Sequence, residues 1–90
     1  MRFEWDPQKA IANQEKHGVS FELAQTVFED PRAITYNDPD HSGVEQREIT
    51  IGVCENLVIL TVAHTDRDGN LRIISARRAT SAERRRYEED

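Results

Sequence analysis

LVILTVAHTDRDGNLRIISA, residues 57–76, decides the fold class. Leu57 to Ala63 is almost continuously apolar, as for a central strand covered on both faces. Asp66 to Asn70 carries Asp68-Gly69, a hairpin signal, because a tight two-residue turn needs positive φ at both central positions. Leu71 to Ala76 reads as the returning strand. Upstream, Ile49, Ile51 and Val53 alternate with Glu48, Thr50 and Gly52, a half-buried strand, and Glu55-Asn56 makes the reversal. Ile34 and Tyr36 give a further period-2 segment. Between them, residues 37–43 (NDPDHSG) are dense in turn formers.

The period is helical further toward the N-terminus. Phe3 and Trp5 flank Glu4 in a brief strand. Asp6-Pro7 starts a helix, with Asp as N-cap and Pro where a missing N–H costs nothing. That helix runs to about His17, and Gly18 ends it. Its expected buried side is Ala10, Ile11 and Gln14; Lys9, Asn13, Lys16 and His17 lie opposite, where Asn13 is placed to orient His17. Ser20 caps a second helix, with Leu23, Ala24, Val27 and Phe28 at helical spacing, which Asp30-Pro31 terminates. The short link between the two makes an αα-hairpin. Thr80-x-x-Glu83 has capping-box spacing for a final helix carrying Glu83 to Tyr87. The prediction is an α+β fold: short strand, αα-hairpin, antiparallel meander of about four strands and short C-terminal helix, with the helices on one sheet face. Residues 1–90 read as a single domain.

Composition narrows the function. The chain has 12 Lys+Arg against 17 Asp+Glu, a formal charge of −5. Arg77, Arg78, Arg84, Arg85 and Arg86 nevertheless crowd into ten residues with Glu83 as the one carboxylate. Bulk charge therefore does not attract nucleic acid, and any phosphate contact needs a placed cluster. Arginine suits this, since its planar fork matches phosphate bidentately. One cysteine, Cys54, excludes a disulfide framework and reads as a small strand-end residue. No metal-ligand spacing joins His17, His41 and His64, so neither metal nor cofactor is expected. No run of about 18 apolar residues offers a membrane span. The segment MRFEWDPQK has no apolar h-region, so a cytoplasmic protein is expected.

Alternation puts Leu60, Val62 and His64 on one strand face. His64 reads either as a strand-end histidine satisfied by the backbone or as a titratable group at the rim of a cleft. Arg67 follows in the turn, and Arg72 and Arg77 bracket the last strand. An odd spacing sends Arg72 and Arg77 to opposite faces unless a bulge intervenes. Lys16 and His17 suit the dipole at a helix C-terminus, which explains them without function. His41 reads as solvated. Tyr87 is available for stacking or proton transfer, and the C-terminal arginines read either as a solvated helix face or as a phosphate clamp.

The chain also resembles a known family. Phe3-Glu4-Trp5-Asp6-Pro7-x-Lys9 and Asn13-x-x-Lys16-His17-Gly18-Val19-Ser20-Phe21-Glu22 are similar to the opening of BrnT toxins. Val27-Phe28-x-Asp30-Pro31, Asp38-Pro39-x-His41-Ser42, Ile51-Gly52, His64-Thr65-x-Arg67, Arg72-Ile73-Ile74-Ser75-Ala76-Arg77-x-Ala79 and Glu83-Arg84-x-x-Tyr87-Glu88 continue the likeness in order. The resemblance implies a RelE-like fold and a bacterial type II toxin that cleaves RNA, free or on the ribosome, and stops translation. It implies a cognate BrnA-type antitoxin in an oligomeric complex, with DNA contacted only through that antitoxin. Metal-free cleavage requires a base, an acid and cations on the phosphorane. The expected assignment is His64 as acid or base, Arg67, Arg72 and Arg77 as phosphate ligands, His17 and Lys16 as reserve acid–base and cation, and Tyr87 as a weaker candidate. Glu83 is expected to orient an arginine. The rival class is a non-catalytic module whose arginine-rich C-terminal segment docks an acidic partner.

Overall fold

A computed structural model describes residues 1–41, 43 and 46–89. Ser42, part of the expected loop motif, and the side chain of His41 lie outside the described residues. The chain runs β1 (Phe3–Glu4), α1 (Pro7–His17), α2 (Phe21–Gln25), a 3₁₀ turn (Thr26–Glu29), β2 (Ile34–Asn37), a second 3₁₀ turn (Pro39–His41), β3 (Arg47–Val53), β4 (Ile59–Arg67), β5 (Asn70–Arg78) and α3 (Ser81–Glu89). One sheet has the order β1-β5-β4-β3-β2. The meander β2 to β5 is antiparallel, and β1 adds in parallel beside Leu71 and Arg72.

Local chemistry sets the element ends. Asp6 accepts from Gln8 N–H, Pro7 opens α1, and Gly18 closes it at φ 71°. Ser20 accepts from Leu23 N–H at 3.0 Å. Asp68 and Gly69 have φ 54° and 83°, the paired positive values of the hairpin turn. Thr80 and Glu83 form the reciprocal capping box, at 2.8 Å and 3.2 Å. The second helix tightens to 3₁₀ at Thr26, whose hydroxyl bonds back to Leu23 C=O. It is therefore shorter as an α-helix than its apolar spacing predicts. β4 is displaced relative to the apolar run: Leu57 and Val58 belong to the turn, and the strand continues past His64 to Arg67.

The two sheet faces are covered differently. α1 and α2 pack on one face, where Phe21, Ala24, Val27, Leu60, Val62, Ile73 and Ala76 form the main core. α3 lies on the opposite face, with Ala79 and Tyr87 against Ile51, Ile34, Tyr36, Ile49 and Ile59. The expectation that all helices share a face is thus corrected. The reason is the odd-numbered apolar set of β3 and β4, which also needs a cover. Gly52 allows the close approach of the first 3₁₀ turn and the link that follows it, since a Cβ there would meet Ala33 Cβ at 2.9 Å and Val27 Cγ1 at 3.0 Å.

The buried side of α1 also departs from the predicted one. Ile11 is exposed and Asn13 is buried. The Asn13 side chain accepts from Ala76 N–H (3.1 Å) and donates to Ala76 C=O (2.8 Å) and Val19 C=O (2.9 Å). It is committed to the backbone of β5 and does not orient His17. A buried backbone pair without a strand neighbour must find such a partner.

Candidate nucleic-acid interface

The register of β4 and β5 carries the central observation. Ala63 pairs with Ser75, whereas the next residue, His64, pairs with Ile73. Ile74 is therefore an extra residue, a β-bulge. Beyond it the alternation of β5 is reset. Arg77 pairs with Thr61 and Arg72 with Thr65, both odd-numbered positions of β4. Directly paired residues share a face, so the bulge brings Arg72 and Arg77 to the same side, the side that carries α3.

Three rows cross this face. Ile34, Ile51, Thr61 and Arg77 make the first, beneath α3. Tyr36, Ile49, Ala63 and Ser75 make the second, each only half-buried. Arg47, Thr65 and Arg72 make the third, continued by Glu4 on β1. The second row is the floor of a shallow trough, and its walls carry arginines. At ordinary strand spacing the floor spans about 14 Å from Tyr36 to Ser75, and the outer rows stand about 13 Å apart.

Carboxylates hold the arginines in place. Arg77 donates to both oxygens of Glu83, at 2.7 Å and 3.0 Å. Glu83 also accepts from Thr61 Oγ1 at 3.0 Å and from Thr80 N–H. Burial opposes ionisation of Glu83, but the bonds from Arg77, Thr80 and Thr61 prevail and bring its pKa down to about 2. Glu83 is therefore an anion that fixes Arg77, as its expected role required. Arg72 donates to Glu4 at 2.7 Å. The Glu4 pKa is lowered by hydrogen bonds from Asn70 and Arg72, with Arg67 close enough to add to the effect. On α3, Arg86 lies over the Tyr36 ring at 4.1 Å.

His64 and Tyr87 stand elsewhere. His64 is on the helix-covered face, 4% exposed, with its ring edge-on to Phe28. Its Nε2 is 2.7 Å from Thr50 Oγ1, which itself meets Thr35 Oγ1 at 2.8 Å; Nδ1 is 4.0 Å from Glu48. Burial lowers the imidazole pKa to about 4. His64 is thus a neutral, largely buried histidine on the side opposite to the arginines, where it also lines a cavity of about 270 Å³ with Met1, Glu48, Thr65, Asp66, Gly69 and Leu71. The alternation had placed it correctly beside Leu60 and Val62; what the alternation lacked was the cover. Tyr87 is buried and donates to Asp30 at 2.6 Å, pinning α3 to the end of the 3₁₀ turn. That bond comes first among the causes that raise its pKa, so Tyr87 is not presented to a ligand.

Lys16 and His17 line a depression with Lys9, Ala12, Asn13, Ile74 and Ser75. They stand at the margin of β5 between β1 and the Asn13–Ala76 contact, next to the bulge, and Ser75 connects them to the trough floor. Arg67 is not in the turn, as expected, but ends β4 two residues beyond Thr65, on the same face. The structure therefore brings Arg67, Arg72 and Arg77 to one face, with Lys16 and His17 at its edge. Arg47 and Tyr36 were not among the expected site residues, and Arg86 was expected only as one of the C-terminal arginines read as a solvated face or a phosphate clamp. The period-2 register could have placed Arg47 and Tyr36, but only pairing with β4 relates them to the arginines of β5. Among the described residues, no cluster of three His, Cys, Asp or Glu is positioned to hold a metal ion. No helix is long and apolar enough to cross a membrane.

The architecture is that of a small α+β domain with one sheet face packed by α1 and α2 and one face lined by anchored arginines. The chain belongs to the BrnT family, described as the ribonuclease toxin of type II toxin–antitoxin systems, which matches residues 5–83. The crystal structure of the Brucella abortus ribonuclease toxin BrnT is similar, with a TM-score of 0.71 and 25% identity over 90% of this chain and 99% of that one. No curated protein matches.

Proposed function

We propose that the chain is a metal-independent endoribonuclease of a toxin–antitoxin pair, cutting RNA and so stopping translation in the cytoplasm, and neutralised by a BrnA-type antitoxin. The observation that carries this reading is the Ile74 bulge, which puts Arg72 and Arg77 on one open face beside Arg47 and Arg67. A phosphodiester laid across the trough meets cations from β3, β4 and β5. In the reaction the ribose 2′-oxygen attacks phosphorus in line, its proton passes to a base, and the P–O5′ bond breaks as an acid protonates the leaving oxygen. Arg72 and Arg77 hold the equatorial oxygens, where charge accumulates. Their carboxylate partners prepay the ordering of both side chains. Tyr87 leaves the reacting set because it is enclosed, and His64 because it stands on the sheet face opposite to Arg72 and Arg77. His17 and Lys16, at the β5 edge beside Ser75, take over proton transfer and the third cationic position; imidazole is the side chain suited to both duties near neutral pH.

The test is incubation of the purified chain with RNA, with and without chelator. Cleavage that survives the chelator is the expected result. No cleavage of free RNA or of ribosome-bound message overturns it in favour of a non-catalytic module. One observation gives the docking function a place of its own: Arg78, Arg84 and Arg85 are exposed, and Arg84 and Arg85 lie on the part of α3 turned from Glu83 and Tyr87. These arginines suit an acidic segment of the antitoxin, through which any DNA contact would run.

A further inference from the structure

The trough has two ends, and the groups assigned to phosphate chemistry stand on α1, β3, β4 and β5, none of them on the edge strand β2. At the β2 end Tyr36 supports the guanidinium of Arg86 at 4.1 Å from its ring centroid. Tyr36 is half-buried against Ile51 and Tyr87, so the ring is held by the packing of α3. Arg86 is exposed and borders a shallow depression of about 360 Å³ with Ala82, Arg85 and Glu89. A guanidinium stacked on an aromatic ring is a flat cation with its orientation fixed. Unstacked bases of single-stranded RNA are held on such planes.

We infer that the Tyr36–Arg86 stack is a nucleobase subsite for single-stranded RNA, placed on the β2 side of the trough, one helical turn of α3 from the Glu83 that fixes Arg77. This rests on the reading of the trough as an RNA-cleaving site and adds to it a recognition element for a flanking nucleotide. Arg86 follows Glu83 by three residues on α3, and Tyr36 lies within electrostatic reach of Arg77, so the stacked base belongs to a nucleotide adjoining the phosphate that Arg77 holds. Tyr36 backs the plane and Arg86 presents it; the half-exposed floor of Ile49 and Ala63 lies between. Such a platform accepts any base by its π-face and grips purines best, through their larger area.

The experiment measures binding and cleavage of short RNA oligonucleotides, intact or with one abasic position moved along the strand. In the unaltered chain, one flanking position should matter, its base removal weakening binding about 5- to 100-fold, the range for loss of one stacked base. Arg86→Lys keeps the charge but removes the plane. It should weaken the intact oligonucleotide by a similar factor and leave the abasic one almost unaffected. Tyr36→Phe retains the ring and should retain the position dependence, which tests the stack without removing its packing. Equal weakening of intact and abasic RNA by Arg86→Lys would reduce Arg86 to a point charge and overturn the subsite. Cleavage with no abasic position dependence would overturn the subsite alone. Position-dependent binding without cleavage would support the subsite and overturn the nuclease reading. Absence of both binding and cleavage would overturn both.

Discussion

Val62 and Ala63 are neighbours in β4, yet they belong to different environments. Val62 is fully buried in the core that α1 and α2 cover. Ala63 is half-buried on the trough floor, between arginine-bearing rows. The helix-covered face accounts for most of the core; the α3 face is covered only at one end. Alternation along a strand thus separates the residues that hold the fold from those free to meet a ligand, one position apart.

The contrast is sharpest for a charge placed on each side. Val62→Asp buries an unpaired carboxylate and should cost more than about 4 kcal/mol, enough to leave no folded protein in a thermal or urea melt. A cooperative native-like transition would show that this face is less enclosed than described. On the other side, Arg77→Ala should leave the fold intact by circular dichroism. It should slow RNA cleavage by about 10²–10³-fold, the usual effect of removing one donor to a developing oxyanion. Undiminished cleavage would remove Arg77 from the reaction.

A pH titration separates the faces differently. The His64 pKa is about 4 in the fold, below the ordinary 6.5, so the unfolded chain binds more protons between these values. The stabilisation is complete above pH 6.5 and is lost as pH falls toward 4, by on the order of 1–3 kcal/mol after allowance for residual screening. His64→Gln should flatten this part of the stability curve. The Glu83 contribution, by contrast, persists until pH falls below about 4.5 and is lost toward 2. The smallest stability effect is expected for Ala63→Glu, within about 1 kcal/mol at a half-exposed site. Its negative charge on the floor should still weaken RNA binding about 10-fold, and unchanged binding would place the RNA elsewhere.

Much of this arrangement was legible beforehand. The Asp68-Gly69 turn, the caps at Asp6, Ser20 and Thr80, and the alternation of β3 each follow from the local chemistry of a few residues. The face of Leu60, Val62 and His64 was equally readable. What covers that face was not, because cover is decided by residues far away in the chain. The same limit applied to Asn13: helical spacing treated it as polar and outward, whereas a carbonyl and an N–H of Ala76, 63 residues on, required it inward. The bulge is the clearest case. Odd spacing sent Arg72 and Arg77 apart, and only the register against β4 shows that Ile74 is an extra residue. Adjacent isoleucines at 73 and 74 break alternation, a hint that pattern reading alone does not turn into a shifted register.

The grip of Asn13 on Ala76 also bears on assembly. A sheet grows by accepting a strand along an edge whose N–H and C=O groups are unsatisfied. One margin of this sheet is occupied in two ways, by β1 at Leu71 and Arg72 and by an amide side chain at Ala76. Among the described residues, no strand pairs with the outer side of β2. The edge strands are β1, two residues long, and β2, four residues long, so a partner that joins this sheet by strand addition finds the longer edge at Ile34–Asn37, where it would run alongside Tyr36.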